Sequence, residues 1–162
     1  MGREGSVLVE AQVPAEDGLW EDTGITWAGS VEVRLRASFA GSGEVIVRGT
    51  VSGGLRQECR RCLLPVVGEF HDELTLVFVP PATGKGDGEG GAFVFEPKSG
   101  GLDLSDAVRE EVMLALNPYV VCDPECLGLC PRCGANLNEA ACECTEDDSD
   151  PRWQALRVLK DR

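Results

Sequence analysis

A β-rich α+β fold is what the sequence predicts: an antiparallel sheet or partial barrel with one main helix, a short C-terminal helix and a cysteine-rich segment. Three patterns predict it. Apolar residues alternate with polar ones in the first half of the 162-residue chain, and period two is the mark of half-buried strands. One stretch, 104–116, spaces its apolar residues by four and three instead, as a helix face does. Six of the eight cysteines fall within the 23 residues 122–144.

Residues 6–13 form the first expected strand. Val31, Val33, Leu35, Ala37 and Phe39 then face one way, with Glu32, Arg34, Arg36 and Ser38 between them. Val45, Val47 and Val51 alternate with Ile46, Arg48 and Thr50. Gly41-Ser42-Gly43 supplies a flexible turn, so 31–51 reads as a hairpin. Gly53-Gly54 is expected to end it, with 55–59 a separate short strand leading to the first cysteines. Phe70, Leu74, Leu76 and Phe78 mark a strand over 69–79, which Pro80-Pro81 stops. Residues 82–92 hold five glycines and read as a loop; 93–95 is a short strand after it. In the helix 104–116, Leu104, Val108, Val112 and Ala115 share a face, Asp103 can cap the start, and Asp106 complements the positive end of the dipole. Asn117-Pro118 ends it. Asp150-Pro151 opens the short terminal helix that carries Trp153, Leu156 and Leu159. The domain division that follows is 1–120 as a β-rich domain with one helix, and 121–162 as a cysteine-rich segment and short helix packed on it as one unit.

Composition narrows the function classes. The chain is long enough to bury a real core, and its hydrophobic share of 43% does not read as disorder. The formal net charge is −13. A nucleic-acid duplex carries about one negative charge per 1.7 Å of axis, so broad charge-driven binding to it is disfavoured, although a local basic patch is not. No run of 18 apolar residues occurs, which predicts no membrane span, and no secretory signal is evident. A cytoplasmic, reducing location is therefore expected, where clustered cysteines are metal ligands or catalytic groups more often than disulfides.

The cysteines carry ligand spacing. Cys59-Arg60-Arg61-Cys62 and Cys130-Pro131-Arg132-Cys133 each have the two-residue gap that lets two thiolates reach one metal. Gly134 directly after Cys133 permits a positive φ, which a tight knuckle needs. Tetrahedral zinc takes four thiolates at about 2.3 Å, and eight cysteines supply two such sites. Cys130, Cys133, Cys142 and Cys144 are the natural local set, which leaves Cys59, Cys62, Cys122 and Cys126. The second closure spans 59 intervening residues, but loop closure costs only about 0.6 kcal/mol per doubling of length. The other arrangement sets Cys59/Cys62 with Cys130/Cys133 as a ribbon of two knuckles. All-cysteine sites leave no open coordination position, so two zinc ions are expected in structural roles.

At this point the residues resemble a known family. Glu58-Cys59-Arg60-Arg61-Cys62-Leu63-Leu64-Pro65 is similar to the signature of the YceD-type proteins, the large ribosomal RNA subunit accumulation family. So is the later order: an acidic helix ending in Asn117-Pro118, Cys122 and Cys126, then Gly128-Leu129-Cys130-Pro131-Arg132-Cys133-Gly134, Asn136-Leu137-Asn138, Cys142, Cys144 and Asp150-Pro151-Arg152. The likeness covers roughly residues 25 to 160. It implies a non-enzymatic bacterial or organellar factor for 23S ribosomal RNA accumulation. It also implies that the two cysteine sets are separable, since some members keep the first pair without the later four. The partner expected is large-subunit ribosomal RNA or a basic ribosomal protein, for which an acidic chain is suited; no membrane and no small-molecule substrate is expected.

Other residues are candidates of a different kind. Arg56, Arg60 and Arg61 crowd the first knuckle, while Arg152, Arg157, Lys160 and Arg162 crowd the chain's end. If the fold joins them they form a basic patch able to hold phosphates. Trp20, Trp27 and Trp153 could stack on bases. His71, the only histidine, reads as structural or solvated. No nucleophile elbow, phosphate loop or paired-histidine motif occurs, so no catalytic residue is assigned. Two alternatives stand beside the accessory-factor reading: a thiol redox or metal-handling protein using Cys59/Cys62, and a zinc-ribbon nucleic-acid-binding module.

Overall fold

The structure is a computed structural model that describes residues 5–40, 43–81, 91–95, 100–144 and 152. Strands β1 (Ser6–Val13), β2 (Thr26–Trp27), β3 (Val31–Phe39), β4 (Val45–Glu58), β5 (Pro65–Val79) and β6 (Ala92–Val94) precede the helix α1 (Ser105–Ala115). A 3-10 turn at Gly18–Trp20 joins β1 to β2. The sheet order is β1-β3-β4-β5-β6, with β2 alongside the far part of β4. The sheet is mixed, which corrects the expectation of a purely antiparallel one. β1, β3, β4 and β5 run antiparallel, but β6 pairs with β5 in parallel, Val77 opposite Ala92.

Alternation builds the core as expected. Val31, Val33 and Leu35 of β3, Val45, Val47, Val51 and Leu55 of β4, and Phe70, Leu74, Leu76 and Phe78 of β5 are all buried on one side. Helix α1 closes that side against β5 and the 3-10 turn, burying Ala107, Val108 and Val112. Ala115 is exposed and Ala107 takes its place on the apolar face; Phe39, at the end of β3, is also exposed. At full burial each Val, Leu or Phe side chain contributes about 1.5–3 kcal/mol. Asp103 meets the helix start: its Oδ1 accepts from the Ser105 amide at 2.9 Å. That bond holds the Asp103 carboxyl below its usual range.

Two aromatic residues change role. Trp20 and Trp27 are buried in this core, edge to face with their rings 5.1 Å apart, and Trp27 meets Phe70 in the same way at 5.6 Å. Neither is available to stack on a base. Their packing also explains why Gly53-Gly54 does not end a strand. β4 continues through both glycines to Glu58, because Trp27 and Ala28 lie across them. A Cβ on Gly53 would stand 3.3 Å from the Trp27 ring, and one on Gly54 would stand 3.1 Å from Ala28 Cβ. The glycines make room for a neighbour instead of turning the chain.

The consequence for the cysteines is direct. β4 and β5 form one long ladder from Val45↔Phe78 to Glu58↔Pro65, so residues 59–64 are the connection at its far tip. The expected terminal helix with Trp153, Leu156 and Leu159, the basic residues Arg157, Lys160 and Arg162, and most of the loop 82–92 lie outside the described residues. No helix among the described residues is long and apolar enough to cross a membrane.

Candidate metal centres

The hairpin tip makes the first knuckle. The Cys59 amide donates to Leu64 O (2.8 Å), the Leu63 amide donates to Cys59 O (2.8 Å), and the Arg61 amide points at Cys59 Sγ (3.4 Å). The second knuckle repeats this scheme bond for bond. The Cys130 amide donates to Ala135 O (2.8 Å), the Gly134 amide to Cys130 O (2.9 Å), and the Arg132 amide to Cys130 Sγ (3.4 Å). Both turns need a left-handed residue after the second cysteine. Gly134 adopts it at φ 74°, as its position in the sequence predicts, and Leu63 adopts it at φ 60°. For a leucine that conformation costs about 1–2 kcal/mol.

The exit from α1 brings the remaining ligands to the hairpin tip. Gln57 Nε2 donates to Asn117 O (3.0 Å) and the Arg60 amide to Val120 O (2.8 Å), so 117–121 runs beside the knuckle and delivers Cys122. Arg61 fixes the other side. Its Nη1 donates to the carbonyls of Pro124 (3.0 Å) and Cys126 (2.8 Å), and its own carbonyl accepts from the Leu129 amide (3.0 Å). Gly128, at φ 79°, lets the chain pass: a Cβ there would come within 2.9 Å of that same carbonyl.

Two groups of four sulfurs result. Cys59, Cys62, Cys122 and Cys126 form one; Cys130, Cys133, Cys142 and Cys144 form the other, each with all ligand atoms within 4.8 Å of one another. The structure therefore assembles the long-range and local sets, not the ribbon that would set Cys59/Cys62 beside Cys130/Cys133. In the first group Cys59 and Cys126 sulfurs are 3.9 Å apart, and Cys62 and Cys122 sulfurs 3.6 Å apart. Thiolates at about 2.3 Å around a tetrahedral ion stand about 3.8 Å apart, whereas a disulfide requires about 2.05 Å. All eight cysteines are free, and both groups could hold a metal ion. The groups differ in setting: Cys59, Cys62 and Cys126 are buried with Val66, Val121 and Leu129 around them, while in the second group only Cys130 is buried.

Without an ion, crowding drives the thiols apart in acidity. Burial pushes Cys59 up, but backbone hydrogen bonds at Cys122, Cys62 and Arg61 outweigh it and bring it down to about 6. Cys122, sharing hydrogen bonds with Cys62, Cys126 and Cys59, is pushed up to about 12. The second group matches: amides of Cys133 and Arg132 bring Cys130 to about 6, and contact with Cys133 pushes Cys144 to about 12. Each cluster is thus a set of thiols that cannot all ionise alone, and a divalent cation would displace their protons.

The arginines sit unequally. Arg56 is exposed on β4. The Arg60 guanidinium lies over the Tyr119 ring, 4.3 Å from its centroid. Arg61 is engaged with the ligand loop, as above, and Arg152 is exposed. His71 is exposed on β5, opposite Ser52. Two residues of the site escape a reading based on spacing. Gly128 stands in the motif that resembles the family, but spacing gives it no role of its own. Asn138 lies between two ligand pairs, and its amide Nδ2 donates to Cys126 Sγ at 3.4 Å.

Comparison with known proteins finds relatives along nearly the whole chain. An uncharacterized protein of Mycobacterium tuberculosis is 34% identical over 164 residues, covering 96% of this chain and 76% of the relative. One from Mycobacterium leprae is 30% identical over 160 residues, covering 96% and 72%. The large ribosomal RNA subunit accumulation protein YCED homolog 1, chloroplastic, of Arabidopsis thaliana is 34% identical over 68 residues, which is 42% of this chain and 21% of that protein. No solved structure matches. The family model described as large ribosomal RNA subunit accumulation protein YceD matches residues 47–160, a span that takes in most of β4, all of β5 and α1, and all eight cysteines, and the chain belongs to that family.

Proposed function

We propose that this protein is a non-enzymatic accessory factor for 23S ribosomal RNA accumulation and large-subunit biogenesis in the cytoplasm, held together by two structural zinc ions. The observation that carries the reading is the family match over 47–160, together with plant relatives whose names state large ribosomal RNA subunit accumulation. The chemistry of the two clusters supports zinc: four soft thiolates within 4.8 Å of one another suit that ion and would fill every position of a tetrahedral site, leaving none for substrate. In this reading residues 121–162 are clamped to the β-rich 1–120 as one unit.

The protein acts by binding a ribosomal protein, an assembly intermediate or RNA. A net charge of −13 favours a basic ribosomal protein as the direct partner, by long-range steering. Exposed Tyr119, Leu127 and Leu63 around the first knuckle offer the apolar part of such a contact, with Arg56 and Arg60 exposed beside them as the candidates for RNA phosphates, since Arg61 is committed to the ligand loop. The geometry favours this over a redox pair at Cys59/Cys62, since those thiols stand at a hairpin tip against Cys122 and Cys126 and not at a helix N-terminus.

Depleting the protein from its own cells and quantifying 23S against 16S ribosomal RNA tests the reading. It predicts a selective fall in 23S and in mature large subunits. Unchanged 23S, with no ribosomal protein or precursor RNA enriched on the tagged protein, would contradict it.

A further inference from the structure

The loop of the second centre reaches the first. Residues 134–141 connect Cys133 to Cys142, and Asn138 lies in the middle of that loop. Both polar atoms of its carboxamide are engaged. Oδ1 accepts from the Leu127 amide (2.8 Å), while Nδ2 donates to Asn136 Oδ1 (2.7 Å) and to Cys126 Sγ (3.4 Å). This network allows one orientation: flipping the amide would aim its oxygen at the sulfur and its N–H at the Leu127 N–H. The loop is in turn seated on 128–130, through Leu137 N to Gly128 O (2.9 Å) and the Leu129↔Asn136 bridge, and Leu129 rests on Arg61 of the first knuckle. Besides the neighbouring thiols, Cys126 sulfur receives this side-chain amide.

We propose that Asn138 couples the two cysteine centres: closing the second around its metal sets the Asn138 amide on the Cys126 thiolate and so tightens the first. The inference rests on the reading above that both centres hold zinc. A thiolate bound to a dication still carries excess negative charge, and a donor aimed at it stabilises that charge and fixes the ligand's direction. In this scheme an ion shared by Cys133 and Cys142 adds to the contacts with 128–130 in holding the loop that carries the donor. Linkage makes the effect reciprocal, so metal in the first centre tightens the second by the same factor. Asn138 is a positioning residue in this scheme, not a ligand.

Zinc affinity of each centre in the full chain, measured by competition with a chromogenic chelator, tests this. Removing an outer-shell donor costs about tenfold or more in metal affinity. Asn138→Leu is therefore expected to weaken the first centre about tenfold. Cys142→Ser should weaken it by a similar factor, and the double variant by no more than either alone. Asn138→Asp keeps the acceptor for Leu127 but replaces the donor with a second oxygen, so it should weaken the first centre at least as much while the sheet stays folded. In the cobalt-loaded protein both Asn138 variants should shift the thiolate-to-cobalt charge-transfer band of the first centre, which a merely structural loop residue would leave in place. Two bound ions with unchanged affinities and bands in the Asn138 variants, or additive losses in the double variant, would overturn the coupling alone. Uptake of fewer than two ions by the unaltered chain would overturn the metal reading and the coupling with it.

Discussion

The two cysteine groups are built on the same knuckle but do different work. The first sits at the tip of the β4–β5 hairpin, draws half its ligands from beyond α1, and buries three of its four cysteines. The second is closed within 15 residues, Cys130 to Cys144, and leaves most of itself in solvent. Identical hydrogen bonds around Cys59 and Cys130 therefore say little about how much each matters to the fold. What decides it is the length of chain each closure ties down. The first joins the hairpin to the helix exit and the ligand loop; the second joins a loop to itself.

The largest expected difference follows from that. If the first group holds zinc as proposed, Cys59→Ser leaves Cys62, Cys126 and the Arg61 seam without it, and folding stability is expected to fall by more than about 4 kcal/mol, a loss typical of a removed structural metal. Cys142→Ser should cost the sheet only about 1–2 kcal/mol, the size of the tenfold coupling carried by Asn138. Thermal melts of the two variants followed in the far ultraviolet check this, and equal losses would break the distinction between clamp and loop.

Gly128→Ala attacks the seam between the groups. The added Cβ meets Arg61 O, and the position is left-handed, so a loss of about 2–3 kcal/mol is expected, larger than for an alanine at any glycine with open space around it. Acid separates the groups next. Metal binding needs thiolates, so affinity falls as pH falls. Cys59 and Cys130, brought to about 6 in the metal-free protein, keep their charge longest there, and a bound cation holds thiolates ionised below that value. Lowering pH from about 7.5 to about 5 is expected to release the metal of the solvent-exposed second group first, seen as two phases in chelator absorbance; a single phase would contradict the difference in burial.

The smallest effect sharpens the comparison at one atom position. Leu63 and Gly134 occupy equivalent left-handed sites. Leu63→Gly should stabilise the protein by about 0.5–1 kcal/mol, relief of strain less the added chain entropy, and Gly134→Leu should destabilise it by about 1–2 kcal/mol. Denaturant midpoints of the metal-loaded variants measure both. Leu63 is 58% exposed, so its side chain gives the core little in exchange for the strain.

Where periodicity was local, the sequence was readable. β1 falls on the expected 6–13, and α1 within one residue of the expected 104–116 at each end. The ladder between β4 and β5 was hidden because Gly53-Gly54 looks like punctuation until Trp27 and Ala28 are seen against it. The parallel pairing of β6 was hidden because a three-residue strand carries no sign of its partner's direction. Trp20 and Trp27 looked available to bases because their burial depends on β2 and the 3-10 turn, which alternation does not reveal. Spacing and loop entropy favoured the cysteine sets that the structure groups while leaving the ribbon pairing open, and the groups that orient them were not visible at all. Arg61 reads as a phosphate contact in sequence and serves as a brace in the fold; Asn138 acquires meaning only when Cys126 is beside it.

Metal content combined with cysteine alkylation, read by mass spectrometry on Cys59→Ser and Cys142→Ser, bears most directly on the division into two centres. Each variant is expected to keep one zinc where the unaltered chain holds two. Cys59→Ser should expose Cys62, Cys122 and Cys126 to alkylation while Cys130, Cys133, Cys142 and Cys144 stay protected, and Cys142→Ser should expose Cys130, Cys133 and Cys144 while the first four stay protected. Loss of protection at Cys130 and Cys133 in Cys59→Ser, with Cys122 and Cys126 still shielded, would contradict the assignment.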